Sequence, residues 1–243
     1  MLREIDKNIW VAEQPLMYFG LSVGTRMTII RLRNGELIVI SPIQVDEVAI
    51  AQINDIGKVS YIIAPNLYHH LFIADFKAIY PQAKLWIAPG LETKIPDLPF
   101  DKVIGDYRNL FIDEVECLLF DGFKTFVLSG VSLLNECVFF HRESQTLILT
   151  DTAFHCDETF PLFTQLAFRA IGGYKKLSPS WLEKLATTEK EKVKTSVQKV
   201  IAWDFKRVIM AHGSIIETDS KQKFIEGYEW FLGMSLNDID FSL

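Results

Sequence analysis

The chain has 243 residues, enough for one large α/β domain or two small ones, and 49% of them are hydrophobic, so a sizeable core can be buried. Its 25 basic and 31 acidic residues leave a net charge of −6, which offers no basic footprint for nucleic acid. No apolar run approaches the roughly 18–20 residues that span a bilayer, and the first residues, MLREIDKNIW, contain no signal-peptide core. Cys117, Cys137 and Cys156 are odd in number and widely spaced, which suggests reduced thiols in a cytoplasm rather than a disulfide frame or a CxxC metal knuckle. No low-complexity stretch or fixed-period repeat interrupts the chain, which reads as a single domain over residues 1–243. These features imply a small-molecule substrate or ligand, and neither a nucleic-acid nor a membrane partner.

Asn8 to Ala12 reads as a first strand. Gln14 to Gly24 is irregular and leaves several apolar residues exposed. Met27 to Leu32 and Leu37 to Ile40 flank Arg33-Asn34-Gly35-Glu36, and Asn-Gly between two β-rich runs is a strong hairpin signal because its central residues take φ > 0. Ser41-Pro42 ends that hairpin. Asp46 to Ile56 is predicted to be a helix, with Val48, Ala49, Ile53 and Ile56 on its inner face and Gly57 as its cap.

The chain is organised around Tyr61 to Pro81. Tyr61 to Ala64 is a short buried strand, and a polar elbow then ends in adjacent His69 and His70. A helical pattern follows, with Phe72, Phe76 and Ile79 on one face and Pro81 as its stop. Two histidines between a strand and a helix N-terminus sit where α/β proteins place chemistry. Lys84 to Ala88 is the next strand, and Pro89 to Asp106 is a long loop or broken helix.

Phe111 to Phe120 and Thr125 to Leu128 read as strands around Asp121-Gly122. Glu136 to His141 and Thr146 to Thr150 form a second hairpin, running directly into Asp151; His141 is expected on its surface. Leu162 to Ile171 is an apolar segment, expected to be covered by the terminal Tyr228-Glu229-Trp230-Phe231 stretch or by a second subunit, hence a homodimer. Ser178-Pro179 opens a helix. Thr188 to Glu191 reads as a capping box for the next helix, whose inner face is Val193, Val197, Val200 and Ile201. Arg207 to Met210 is a last strand leading to Ala211-His212-Gly213, and a terminal helix, Asp219 to Leu232, stops at Gly233. This order predicts an α/β fold in which two mixed sheets face each other with helices outside, an αββα sandwich. The two hairpins argue against a doubly wound parallel sheet.

On these residues the chain resembles the metallo-β-lactamase-like hydrolases, over roughly Ile9 to Ser214, and more narrowly a divergent bacterial branch of them. The family's Thr-His-x-His-x-Asp-His motif is matched by APNLYHH, Ala64 to His70. Pro65 and Leu67 stand at the first two histidines, His69 at the Asp and His70 at the last His. Gly130-Val131 replaces a Gly-His turn, Ser41-Pro42 an Asp-x-Gly turn, Thr150-Asp151 stands at Gly-Asp, and Ala211-His212-Gly213 at the final Gly-His. The resemblance implies that the first of two metal sites is lost and the second retained, with His69, His70, Asp151 and His212 as ligands. Three imidazoles and a carboxylate suit one divalent metal, zinc or iron.

The implied activity is that of a metal-dependent hydrolase, with Asp151 also orienting the attacking water. His155, four residues on, would share the face of Asp151 in a helical turn and serve as a further ligand or acid/base group. The alternative is a non-catalytic, metal-free descendant that binds a small molecule or another protein. Local roles compete with ligation: His70 can cap the helix, Asp151 can cap a turn, and Asn66 and Tyr68 can line a substrate loop.

Overall fold

A computed structural model describes every residue except 106, 112, 128–129 and 237–243. Asp106, Ile112 and Leu128, which fall within an expected loop and two expected strands, therefore lie outside the described residues. The first half runs β1 (Arg3–Asp6), β2 (Ile9–Gln14), β3 (Met17–Tyr18), β4 (Leu21–Ser22), β5 (Thr25–Arg31), β6 (Glu36–Ile40), α1 (Glu47–Ile56), β7 (Lys58–Ala64), α2 (Ile73–Ile79), β8 (Lys84–Ile87), α3 (Leu91–Lys94) and β9 (Lys102–Val103). The second runs β10 (Tyr107–Phe111), β11 (Val115–Phe120), β12 (Lys124–Val127), β13 (Gly130–Leu133), β14 (Glu136–His141), β15 (Thr146–Ile148), α4 (Leu162–Ala170), α5 (Trp181–Ala186), α6 (Lys190–Ile201), β16 (Arg207–Ile209) and α7 (Ser220–Leu232).

Two sheets form the centre. A seven-stranded sheet has the order β1-β2-β5-β6-β7-β8-β9, and a five-stranded sheet the order β10-β11-β14-β15-β16. Each begins antiparallel through hairpins and ends parallel through helical crossovers: β6, β7, β8 and β9 in the first, β15 and β16 in the second. Ile30, Ile38 and Ile63 from one sheet meet Cys137, Phe139 and Ile148 from the other in a core between them. The outer faces carry separate cores. Ile53, Ile73 and Phe76 of α1 and α2 cover the larger sheet, and Val193, Val197, Phe224 and Tyr228 of α6 and α7 cover the smaller one. The four layers are the αββα sandwich that the element order implied, and each fully buried aliphatic or aromatic side chain contributes roughly 1.5–3 kcal/mol to it.

Local departures from the sequence expectations have physical causes. At the first hairpin only Gly35 takes positive φ, at 83°, and Asn34 does not. The Gly35 N–H donates to the Leu32 carbonyl at 2.9 Å, and the Leu32 N–H to the Glu36 carbonyl at 2.8 Å. This is a three-residue loop closed by glycine, not the two-residue mirror-image turn. Gly57 has an extended φ, and what it answers is crowding, since a Cβ there would lie 2.5 Å from the Gly35 carbonyl oxygen. The expected strand from Phe111 to Phe120 is two strands, broken where Asp113 takes a φ of 61°. The capping box lies at Ser180 and Glu183, opening α5, while Glu189 before α6 makes no side-chain cap. His141 is buried, 1% exposed, with Nδ1 against the Ser144 hydroxyl at 2.8 Å. Alternation along β14 would put every second residue outside, but all six residues of this central strand are buried.

Candidate metal centre

The C-terminal ends of β6, β7, β15 and β16 converge at one edge of the sandwich. After β7 the chain enters APNLYHH. Asn66, fully buried, accepts the Tyr68 and His69 backbone N–H groups on its Oδ1 at 2.7 and 2.8 Å. This side-chain-to-backbone turn fixes where His69 points. Its Nδ2 donates to Asp151 Oδ2 at 2.8 Å and to Thr150 Oγ1 at 2.9 Å, so one amide ties the end of β7 to the end of β15.

The Asp151 turn folds around another buried carboxylate. Glu136 accepts the backbone N–H groups of Thr150, Asp151 and Thr152 at 2.8, 2.6 and 3.1 Å, and the Thr152 hydroxyl at 2.8 Å. Burial and the neighbouring Asp151 raise the Glu136 carboxyl above its ordinary range, against these donors. The His212 loop is held from the first sheet. Arg26, nearly buried, donates to the carbonyls of Met210 and Gly213 and pairs with Glu13 at 2.8 Å.

His69, Asp151 and His212 thus meet, with side chains 8%, 15% and 14% exposed. Their ligating atoms lie within 4.8 Å of one another. His69 Nε2 and His212 Nε2 are each 3.3 Å from the Asp151 carboxylate. The far ring nitrogens are also engaged: His69 Nδ1 lies 2.6 Å from the Ser41 hydroxyl, and His212 Nδ1 lies 2.6 Å from the Gly24 carbonyl.

A carbonyl only accepts, so His212 Nδ1 carries a proton, and in the neutral ring Nε2 turns a lone pair toward a carboxylate. Lone pair facing anion is repulsive unless a cation stands between them or the ring takes a second proton. Burial alone would raise the Asp151 carboxyl, but the facing His69 and His212 rings hold it well below the usual carboxylate range. For His69, burial opposes the charged form, and the Asp151 carboxylate outweighs it, raising the imidazole. The donor set of two imidazoles and one carboxylate, each imidazole anchored through its other nitrogen, fits a divalent metal with open positions.

Not every expected site residue joins this group. His70 lies outside it, half-buried, lowered by burial and then by the nearby Lys94 ammonium. Asn66 accepts the His69 N–H, and it is His69 that this turn delivers to the group. His155 is also outside. Residues 151–156 are irregular with isolated bridges rather than a helical turn, so the i, i+4 relation to Asp151 does not arise. The His155 ring is lowered by burial, its Nδ1 has no partner, and its carbonyl accepts the Ser214 N–H at 2.9 Å.

Sequence reasoning missed Glu136, Arg26 and Ser41 as supports, and assigned buried Asn66 to substrate contact. The available signal was position: Arg26 and Glu136 are charged residues inside strands that are otherwise largely buried, and Ser41 directly follows an apolar strand. Beside the centre a groove of about 820 Å³ is lined by Met17, Tyr18, Phe19, Leu67, Tyr68 and Lys94, among others, with the Lys94 ammonium 3.8 Å over the Tyr68 ring.

The fold is that of the metallo-β-lactamases. A metallo-β-lactamase from Pontibacter korlensis is 11% identical, with 94% of this chain and 98% of that one covered and a TM-score of 0.63. The FIM-1 metallo-β-lactamase from Pseudomonas aeruginosa, in its mono-zinc form, is 11% identical, with 96% of each chain covered and a TM-score of 0.62. A metal-soaked Flv1 flavodiiron core from Synechocystis sp. PCC6803 is 12% identical with a TM-score of 0.68, covering 96% of this chain and 60% of that one. No curated protein sequence matches the chain. The chain belongs to the family described as Domain of unknown function (DUF4336), whose model matches residues 6–172 and so includes His69 and Asp151 but not His212.

Proposed function

We propose that the protein is a metal-dependent hydrolase of a small substrate, working with one zinc or iron held by His69, Asp151 and His212. The observation that carries this reading is the pair of anchored imidazoles turned onto one carboxylate, within 4.8 Å and at the edge where two sheets end. When bound, a divalent metal supplies Lewis acidity, polarising a carbonyl or phosphoryl oxygen and acidifying water. The chain does the rest. Ser41 and Gly24 fix the rings, and Asn66 and Glu136 fix the carboxylate. Asp151 orients water through whichever oxygen is not engaged in ligation. The groove beside Tyr68 and Lys94 gives the substrate an apolar seat with one cation. Three free, buried thiols, Cys117, Cys137 and Cys156, support a reducing compartment, the cytoplasm.

The 3.3 Å His–Asp contacts also support a second reading, in which one ring is protonated and the cluster is a metal-free, non-catalytic hydrogen-bond network. Turnover separates the two. Metal-stripped protein reloaded with zinc or iron(II) should hydrolyse members of a panel of lactams, thioesters and phosphodiesters, and Asp151→Asn should lower the rate by at least about 100-fold. No metal-dependent turnover across the panel would favour the second reading.

A further inference from the structure

Among the described residues, seventeen large apolar side chains are exposed, and twelve of them belong to four elements that close into a ring. The contacts give the circuit. Thr164 Oγ1 of α4 donates to the Ser22 carbonyl of β4 at 3.2 Å. The Tyr18 hydroxyl of β3 donates to the Phe126 carbonyl of β12 at 3.4 Å. Thr125 Oγ1 of β12 donates to Glu183 of α5 at 3.3 Å, and the Trp181 N–H of α5 donates to the Ile171 carbonyl just after α4 at 2.9 Å. Phe154 ties this ring to the candidate metal centre, with its own ring 6.5 Å from Phe168 of α4 and 6.4 Å from His212.

Each element presents three exposed apolar side chains. The β3–β4 hairpin offers Met17, Tyr18 and Phe19, and β12 and β13 offer Phe126, Val131 and Leu133. Helix α4 offers Leu162, Phe163 and Leu166, and α5 offers Trp181, Leu182 and Leu185. Twelve exposed apolar side chains on four elements hydrogen-bonded in a circuit are more than the singly scattered apolar residues of an ordinary surface. The terminal helix does not hide the α4 stripe, since Leu162 and Phe163 remain 67% and 69% exposed.

Charge decides what covers the ring. These elements, with the loop that joins α4 to α5, carry Lys124, Arg169, Lys175, Lys176 and Lys184 and a single acid, buried Glu183, in a chain whose net charge is −6. Lys175 pairs with Glu158 and Lys124 approaches Glu189, but Arg169, Lys176 and Lys184 have no ion pair among the described residues. Two of these cations lie against aromatic faces: Arg169 is 4.0 Å from the Tyr174 ring centre, and Lys184, which also donates to the Trp230 carbonyl, is 5.0 and 4.5 Å from the ring centres of Trp181 and Trp230. Apolar side chains flanked by aromatic rings and cations are the chemistry of the water–lipid boundary, where the rings sit among headgroups and the cations meet anionic lipids. A second copy docked on this ring about a twofold axis would set the same cations against themselves.

We infer that this rim is a peripheral docking surface for an anionic lipid membrane, bringing the mouth of the candidate metal centre against the bilayer face. No helix of the described residues is long and apolar enough to cross a membrane, so the contact is surface insertion. The sequence expectation of no membrane partner rested on spans alone and does not bear on such a surface.

The test is co-sedimentation of the full chain with vesicles of phosphatidylcholine alone or mixed with phosphatidylglycerol, at low and high salt. Binding should be at least about tenfold stronger to the mixed vesicles and weaken with salt. The Phe163→Glu/Leu166→Glu double variant, at two exposed positions, should lose binding at least about tenfold with an unchanged circular dichroism spectrum. Lys175→Glu/Lys176→Glu should lose it on mixed vesicles. Absence of binding to either vesicle would overturn the inference, as would binding unaffected by the α4 variant. A dimer in sedimentation velocity that the α4 variant dissociates, without vesicle binding, would assign the rim to a second copy instead. None of these readouts depends on metal or on hydrolysis.

Discussion

Asn66 joins the two halves of the centre through a single amide. Asn66→Ala leaves the Tyr68 and His69 N–H groups and an Asp151 oxygen without their partner in a buried site. The cost expected is about 2–4 kcal/mol of stability, read as a shift in the urea midpoint at constant slope. Ser41→Ala acts differently. It frees His69 Nδ1 without removing a ligand, so metal affinity should fall about 10- to 100-fold while the fold persists, as a competitive zinc titration would show.

His141 supplies a pH test remote from the centre: burial lowers its imidazole to about 4. The unfolded ring titrates near 6.5, so between about 6.5 and 4 the unfolded chain binds the extra proton and the folded chain does not. Its contribution to stability is therefore fully present above about pH 6.5 and is lost as pH falls toward 4, by up to about 3 kcal/mol. His141→Gln should flatten that part of the stability profile relative to the unsubstituted chain; parallel profiles would show that the ring does not titrate this way. At this scale the sequence was partly legible. Asp151 and His212 stand directly after apolar strands, where the end of a strand delivers a side chain to the sheet edge. The choice between His69 and His70 was not legible, because it depends on a turn that Asn66 makes with the Tyr68 and His69 N–H groups only while its Nδ2 is anchored by Glu136, Thr150 and Asp151, 70 to 85 residues away in sequence.

At the scale of elements, periodicity located α6 and α7 and the two large hairpins, since each has one apolar face or a strong turn signal. Caps and crowding were harder to read, because they depend on neighbours distant in sequence. Gly227, inside α7, makes the point. Propensity alone says that Ala there would stabilise the helix by about 1 kcal/mol. A Cβ would, however, stand 1.9 Å from the Leu177 carbonyl oxygen, a backbone atom that cannot swing aside. Gly227→Ala is therefore expected to destabilise by more than about 3 kcal/mol, because α7 must lift off the Leu177 backbone. Thermal melts at or above the wild-type midpoint would show that the close approach is not obligatory.

At the scale of the whole molecule, two β-rich halves, each turning parallel toward its end, bring the C-terminal strand edges of both sheets to one place. That arrangement was legible from the order of elements, and with it the neighbourhood of His69, Asp151 and His212. The exposure of α4 and α5 was not, because an apolar run in a sequence does not say whether its own chain will cover it. The proposed chemistry requires that the three side chains hold a metal. The direct measurement is the metal content, by elemental analysis, of the protein and of its His212→Ala variant, both purified without added metal. Close to one equivalent of zinc or iron in the first and a small fraction of that in the second is the predicted result. Equal metal content in both, or none in either together with no measurable zinc affinity, would contradict it.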